Sequence, residues 1–299
     1  MVDRHSATPL VALVTYDGLP SCTADDQLLV DALASRGVRA VAAVWSDPAV
    51  QWGEYSAVVV RSCWDYFLRA DEFYAWLARL ESCGTRMFND VRVLRWNAEK
   101  TYLRELESRG VAVVPTHWME EGATASLRDI REATGWSELV VKPAISGSAH
   151  ETWRASPGGE RVDDARLDAM TSTGRVMVQP LVDVVADDGE WSLLFIDGVY
   201  SHAVLKRPRS GDFRVQLEHG GSVAAIEPAS SLVAQAADAL RAAPTTDGVA
   251  PLYARVDGCV VDGQLLLMEL ELIEPVLFLG TSEGAADRLA DALVSRLTQ

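Results

Sequence analysis

Cysteine is scarce in this chain and is nowhere placed to hold a metal. Cys22, Cys63, Cys83 and Cys259 form no C-x-x-C pair and have no histidine at ligand spacing. A zinc site or a disulfide framework is therefore not expected. The four read as small buried apolar residues, and a reducing cytoplasm is the simplest location. Long apolar runs are missing as well. Nothing approaches the roughly 20 residues of a membrane helix, and the apolar stretch at 9–14 is too short for a signal-peptide core. Positive charge is in deficit, with 27 Lys plus Arg against 43 Asp plus Glu and a net charge of −16. So acidic a surface repels phosphate backbones and anionic lipid, which makes nucleic acid and membrane poor partners. A phosphorylated ligand would need a locally basic pocket. No G-x-x-x-x-G-K-[ST] or G-x-G-x-x-G signature occurs, and the five histidines are dispersed.

What is present is ordinary globular material: 299 residues, 48% hydrophobic and 23% charged, enough for more than one core. Residues 10–15 read as a buried strand. Thr23 then opens a helix, with Asp26 three residues on, and Gly37 closes it. Strands follow at 38–44 and 57–61. Phe73, Trp76, Leu77 and Leu80 form a helical stripe at i, i+3, i+4, i+7. This alternation predicts a small open α/β unit with a parallel sheet over residues 1–92. Asn97 reads as the N-cap of a helix running to Arg109, with strands near 111–114, 138–142 and 175–179 and helices near 126–134 and 163–171. The Gly, Ser and Ala-rich stretch 144–160 is expected as a mobile loop or hairpin. That gives a second unit over 93–180. Over 181–299 strands dominate (191–196, 199–206, 222–226, 252–261, 264–272), with helices near 230–242 and 283–297, the latter capped by Ser282.

The chemistry lies in a spaced set. Lys100 is on a helix, and Lys142 ends a strand just before Pro143 and the Gly/Ser loop with Ser146, Gly147 and Ser148. Lys206 and Arg207 end another strand, and Arg214 follows Gly211, Asp212 and Phe213. Asp257, Glu269 and Glu271 lie on the last strands. Cations at strand ends beside a glycine loop can cradle a triphosphate, because small residues admit backbone N–H groups to oxygen atoms. Late carboxylates can hold Mg²⁺, a hard ion that takes oxygen ligands. Alone, Lys142 would be a strand-end lysine reaching into solvent and Lys100 an ordinary helix-surface residue.

Taken in order, Lys100, Lys142-Pro143, the Gly/Ser loop, Gln179-Pro180-Leu181-Val182, Glu190, Arg207, Gly211-Asp212-Phe213-Arg214, Asp257 and Glu269-Leu270-Glu271 resemble the ATP-grasp superfamily. Residues 211–221 are similar to its glutathione-synthetase and glutamyl-ligase branch. Arg61-Ser62-Cys63-Trp64-Asp65-Tyr66, Arg95-Trp96-Asn97 and residues 269–279 resemble the D-cycloserine synthetase family, which are O-ureido-D-serine cyclo-ligases. The resemblance implies an α/β (α+β) ATP-grasp fold: a leading open α/β domain and two subdomains clasping ATP. It implies ATP and Mg²⁺ as cofactors, a small amino-acid-like substrate, and activation of a carboxylate as an acyl phosphate. A homodimer is one allowed assembly. Lys100, Lys142, Ser146, Gly147 and Ser148 would bind phosphates, and Gln179, Pro180, Leu181 and Val182 would form the adenine hinge. Glu190 would hold ribose or metal. Arg214, Lys142 and Arg207 would be catalytic, and Arg61, Trp64, Asp65, His150 and His219 would meet the substrate. Asp257, Glu269 and Glu271 would hold Mg²⁺. Two other functions fit the same residues: an intermolecular amino-acid or peptide ligase, and a non-catalytic ATP-binding module.

The last hairpin sets a geometric condition. A two-residue turn at Asp262-Gly263 pairs Val261 with Gln264 and puts Asp257 opposite Met268, which turns Glu269 and Glu271 to the far face. A shared metal site therefore requires a three-residue loop or an equivalent bulge, so that Asp257 faces Glu269 and Arg255 faces Glu271. Glu271 stands where most ATP-grasp ligases carry a neutral Asn, and Arg255 would then neutralise it.

Overall fold

The computed structural model describes residues 8–299, which build three sheets. The first comprises β1 (Leu10–Thr15), β2 (Arg39–Val44), β3 (Ala57–Ser62) and β4 (Met87–Phe88), all parallel, in the order β2-β1-β3-β4. β1 is apolar on both faces, as a strand inside a doubly covered sheet must be. Val11 and Leu13 pack toward helix α1 (Ala24–Ala34), while Ala12 and Val14 pack toward α2 (Ala70–Ser82). Thr23 caps α1 as expected, accepting a hydrogen bond from the Asp26 amide at 2.9 Å. Phe73, Trp76, Leu77 and Leu80 form the buried stripe of α2. The chain's last helix, Ala285–Leu297, lies beside α1 and completes that side of the sheet. It begins after Gly284 with no side-chain cap. Ser282 instead accepts a bond from Arg288, and the left-handed Gly284 (φ +70°) makes the turn into the helix. Cys63 and Cys259 are buried as expected, whereas Cys83 is exposed at the end of α2.

Asn97 is not an N-cap. It ends α3 (Val91–Asn97), and a separate helix, α4 (Tyr102–Ser108), follows. Its amide joins elements instead, donating to Leu270 O at 2.7 Å and accepting from Leu272 N at 2.8 Å. Buried next to a strand end, an amide can satisfy both peptide groups, which a capping geometry would not. The second sheet is antiparallel. It comprises β5 (His117–Met119), β6 (Leu139–Pro143), β7 (Trp153–Ala155) and β8 (Val176–Pro180), ordered β5-β8-β6-β7. Helices α5 (Leu127–Thr134) and α6 (Glu160–Thr171) cover it through Leu127, Ile130 and Leu167. The Gly/Ser stretch is thus part of a β6–β7 hairpin. Residues 112–114 join no strand of this sheet. They run beside Leu267, exchanging Val114 N–H to Leu267 O and Leu267 N–H to Ala112 O.

The third sheet follows the short α7 (Val184–Asp187). It comprises β9 (Glu190–Ile196), β10 (Val199–Arg207), β11 (Ser222–Ala225), β12 (Tyr253–Val261) and β13 (Gln264–Glu271), in the order β11-β10-β9-β12-β13. One face packs on α8 (Ser230–Arg241) and α4; the C-terminal helix is α9. Asp262 (φ +51°) and Gly263 (φ +78°) make the two-residue turn, so Val261 pairs with Gln264. The register then shifts. Gly258 faces Leu267, but Asp257 faces Glu269 and Arg255 faces Glu271, leaving Met268 as the extra residue of a bulge. The buried leucines record the same shift, moving from 265 and 267 to 270 and 272. Gly258 permits it, since a Cβ there would lie 2.5 Å from Leu266 O. Among the described residues no helix is long and apolar enough to cross a membrane.

Candidate active site

A cavity of about 620 Å³ is lined by residues from the loop after β3, from the second sheet and from the third. Lys142 ends β6 and reaches this cavity with no hydrogen bond or ion pair among the described residues. Burial pushes its pKa down to about 8, with Lys100 adding to the effect and Glu269 opposing it. Lys100 is buried on the same wall, bonded to Ser146 and 3.0 Å from Glu269 Oε1. Ser146, Gly147 and Ser148 line the cavity. A Cβ on Gly147 would meet the Phe67 ring at 2.8 Å, so the glycine permits that close approach. Gln179, Pro180, Leu181 and Val182 line it too, with the Gln179 amide held by Thr116 at 2.8 Å.

The wall formed by β9, β10, β12 and β13 carries dense, mutually neutralised charge. Arg255 donates to both oxygens of Asp257 at 2.9–3.0 Å and bonds Glu271 across the strand pair. Lys206 lies 2.5 Å from Glu190 and 3.6 Å from Asp257. Burial acts to raise the Asp257 carboxyl, but Arg255 and Lys206 outweigh it and hold it low. Burial raises Glu271 well above the carboxylate range, because its neighbours Asp257, Glu269 and Glu274 add repulsion to what Arg255 offsets. Glu274, just beyond β13, is pushed up to about 8 by burial and by Glu269.

Asp257, Glu269 and Glu271 thus line one cavity, but they do not form a ready ligand triad. Among the described residues no group of three or more His, Cys, Asp or Glu converges to hold a metal. Asp257 is saturated by Arg255, Lys206 and Ser192. Glu269 and Glu271, two residues apart on one face, suit a hard divalent cation such as Mg²⁺. The mutual repulsion of these crowded carboxylates is the kind that such an ion relieves.

Several expected residues lie elsewhere. Arg207 is exposed and outside the cavity lining, because alternation along β10 turns Lys206 inward and Arg207 out. Arg61 is fully buried away from the cavity, bonded to Asp26 at 2.9 Å and to Pro275 O at 3.0 Å. Asp65 accepts from Trp45 at 2.8 Å and pairs with Arg69, so it braces the first sheet's loop. Trp64 does line the cavity, its indole N–H bonded to Glu274 O at 3.1 Å. His150 is exposed beside Phe67, and His219 ends a turn outside the lining. Arg214 lines the cavity with its guanidinium on Asp212 at 2.9 Å. Sequence reasoning missed Phe67 and Glu274, whose loops carry no periodic signal. Lys206 was legible as the inward neighbour of Arg207 once Glu190 was placed opposite it.

Residues 11–89 match the family of the N-terminal domain of the D-cycloserine synthetase DcsG. The chain is 34% identical to the cycloserine biosynthesis protein DcsG of Streptomyces lavendulae, over 96% of this chain and 99% of that protein. It is also similar to the crystal structure of D-cycloserine synthetase DcsG, with TM-score 0.86 and 32% identity, covering 96% of this chain and 99% of that one. The D-alanine–D-alanine ligase of Bacillus anthracis shares the fold at TM-score 0.70 and 14% identity, covering 97% of each chain.

Proposed function

Because the chain belongs to the D-cycloserine synthetase family of ATP-grasp ligases, enzymes that form C–N bonds with ATP, we propose that it cyclises O-ureido-D-serine to D-cycloserine. The substrate carboxylate attacks the γ-phosphorus of ATP, giving an acyl phosphate and ADP. The ureido nitrogen bonded to oxygen then attacks the acyl carbon, phosphate leaves, and the five-membered ring closes. Hydrolysis of the carbamoyl group, one water consumed, releases CO₂ and ammonia. A free carboxylate is a poor electrophile at neutral pH, and phosphorylation supplies the leaving group.

The single observation carrying this reading is the unpartnered Lys142 ammonium in the cavity. A half-buried cation without a counter-charge is costly unless an anion joins it, and a nucleotide phosphate supplies one. Lys100 and Lys142 take the phosphates, the Ser146 loop covers them, and the backbone at 179–182 takes the adenine. Arg214 steadies the phosphoryl group in transfer, once it exchanges part of its contact with Asp212. Glu269 and Glu271 would hold Mg²⁺, with Asp257 behind them orienting Arg255. That ion, when bound, neutralises charge on the phosphates. The protein's own work is positioning and charge complementarity. Units 1–92, 93–180 and 181–299 then each contribute a wall: Trp64 and Phe67, Lys100 to Pro180, and Leu181 onward.

ADP release tests the reading. O-ureido-D-serine alone is expected to suffice, with D-cycloserine formed in step. A requirement for a second amino acid would instead indicate an intermolecular ligase, and no ADP with any substrate a binding module.

A further inference from the structure

The segment from Glu274 to Phe278 follows β13 without regular structure and runs into a 3-10 turn at Leu279–Thr281, yet side chains fix most of its peptides. Trp64 Nε1 donates to Glu274 O at 3.1 Å, Arg61 Nη2 to Pro275 O at 3.0 Å and Arg255 Nη1 to Val276 O at 3.1 Å. His202 Nε2 lies 2.9 Å from Leu277 O, and Gly280 N donates to Asp25 at 3.3 Å. Phe278 is held in the left-handed region, φ +50°. Five side chains from distant parts of the chain are thus spent on one short loop. Strain and pinning of this kind persist where a position must be held.

What the loop presents to the cavity is Glu274, Val276 and Phe278, on a lining it shares with Trp64 and Phe67. Apart from its own backbone amide, the Glu274 carboxylate has no hydrogen-bond or ion-pair partner among the described residues. It is the acidic counterpart of Lys142: an ionisable group on the cavity lining with no ion-pair partner among the described residues, whose charged form a cation would favour. Every other carboxylate of this wall already has a cation: Asp257 and Glu271 have Arg255, Glu190 has Lys206 and Glu269 has Lys100. Its apolar and aromatic neighbours favour a compact organic cation over a hydrated metal ion, which keeps several waters.

We infer that Glu274 receives the α-ammonium group of the amino-acid substrate, with the pinned loop fixing its position and the lysines drawing the carboxylate toward the phosphates. This rests on the ligase reading above and adds to it the residue that distinguishes an amino acid from its des-amino counterpart.

Calorimetric titration with AMPPNP and Mg²⁺ present tests it, using O-ureido-D-serine and 3-(ureidooxy)propanoate, which lacks only the amino group. Wild type is expected to favour the amino compound by about tenfold or more, as for a lost charge-assisted hydrogen bond. Glu274→Gln is expected to erase that preference while AMPPNP affinity, which also reports folding, stays within about twofold. Equal wild-type affinity for the two compounds overturns the inference without needing any variant. So does an unchanged preference in Glu274→Gln, or a shift confined to the Mg²⁺ requirement. ADP release by wild type is read separately. Its absence refutes cyclisation, while the binding ratio still decides the role of Glu274.

Discussion

The two walls of the cavity treat charge in opposite ways. On the second sheet Lys142 enters alone, with no counter-charge among the described residues. On the third sheet Arg255, Asp257, Glu271, Lys206 and Glu190 form a closed network in which each charge has a partner. The first arrangement is costly until an anion joins the lysine. The second is preorganised, and its cost was met when the sheet formed. Removing a charge should therefore have opposite consequences for stability on the two walls.

Arg255→Met is expected to show the largest effect. It leaves Glu271 without its cation and Asp257 with Lys206 alone, and breaking such a buried pair costs about 3–5 kcal/mol. Denaturant titration of the nucleotide-free protein measures it, and a loss under about 1 kcal/mol would mean the network is not closed. Lys142→Met should do the reverse. Turnover is expected to fall roughly 10²–10³-fold, as when a preorganised transition-state charge is removed, while the nucleotide-free protein becomes more stable at pH 7. The sign follows from the lowered pKa. With the folded-state value near 8 and the ordinary value 10.5, the penalty is complete below pH 8 and gone above 10.5. The stabilisation by Lys142→Met should accordingly shrink between those limits, and thermal melts at pH 7 and 10.5 check it. A constant difference would place the lysine in water.

Gly258→Ala sharpens the comparison at smaller scale. A Cβ 2.5 Å from Leu266 O forces the bulge to move, at about 1–3 kcal/mol. Because the bulge alone brings Asp257 opposite Glu269, activity should fall by more than the stability loss explains. Matching losses in the melt and in kcat/KM would detach the bulge from the site.

Much of this was legible in the chain. A continuous apolar run located β1 and a helical stripe located α2, and the five late strands were placed within a residue or two, because burial on a sheet or helix face leaves such patterns. The register condition was legible as well, since three polar residues can share a wall only through a bulge or a longer turn. Side chains that act across long sequence separations were not. Asn97 looks like a cap locally but binds Leu270 and Leu272. Arg61 looks like a ligand-binding residue at a strand end, yet it anchors Pro275. Ser282 has the right residue type, but Gly284 makes the turn. For Asn97 and Arg61 a tertiary partner overrides a sound local preference, and no neighbouring residue announces it.

The most direct test of carboxylate activation is to follow its oxygen. O-ureido-D-serine labelled with ¹⁸O in the carboxylate, turned over with unlabelled ATP, is predicted to transfer one labelled oxygen to each phosphate released. Unlabelled phosphate, formed alongside D-cycloserine, would contradict an acyl-phosphate route.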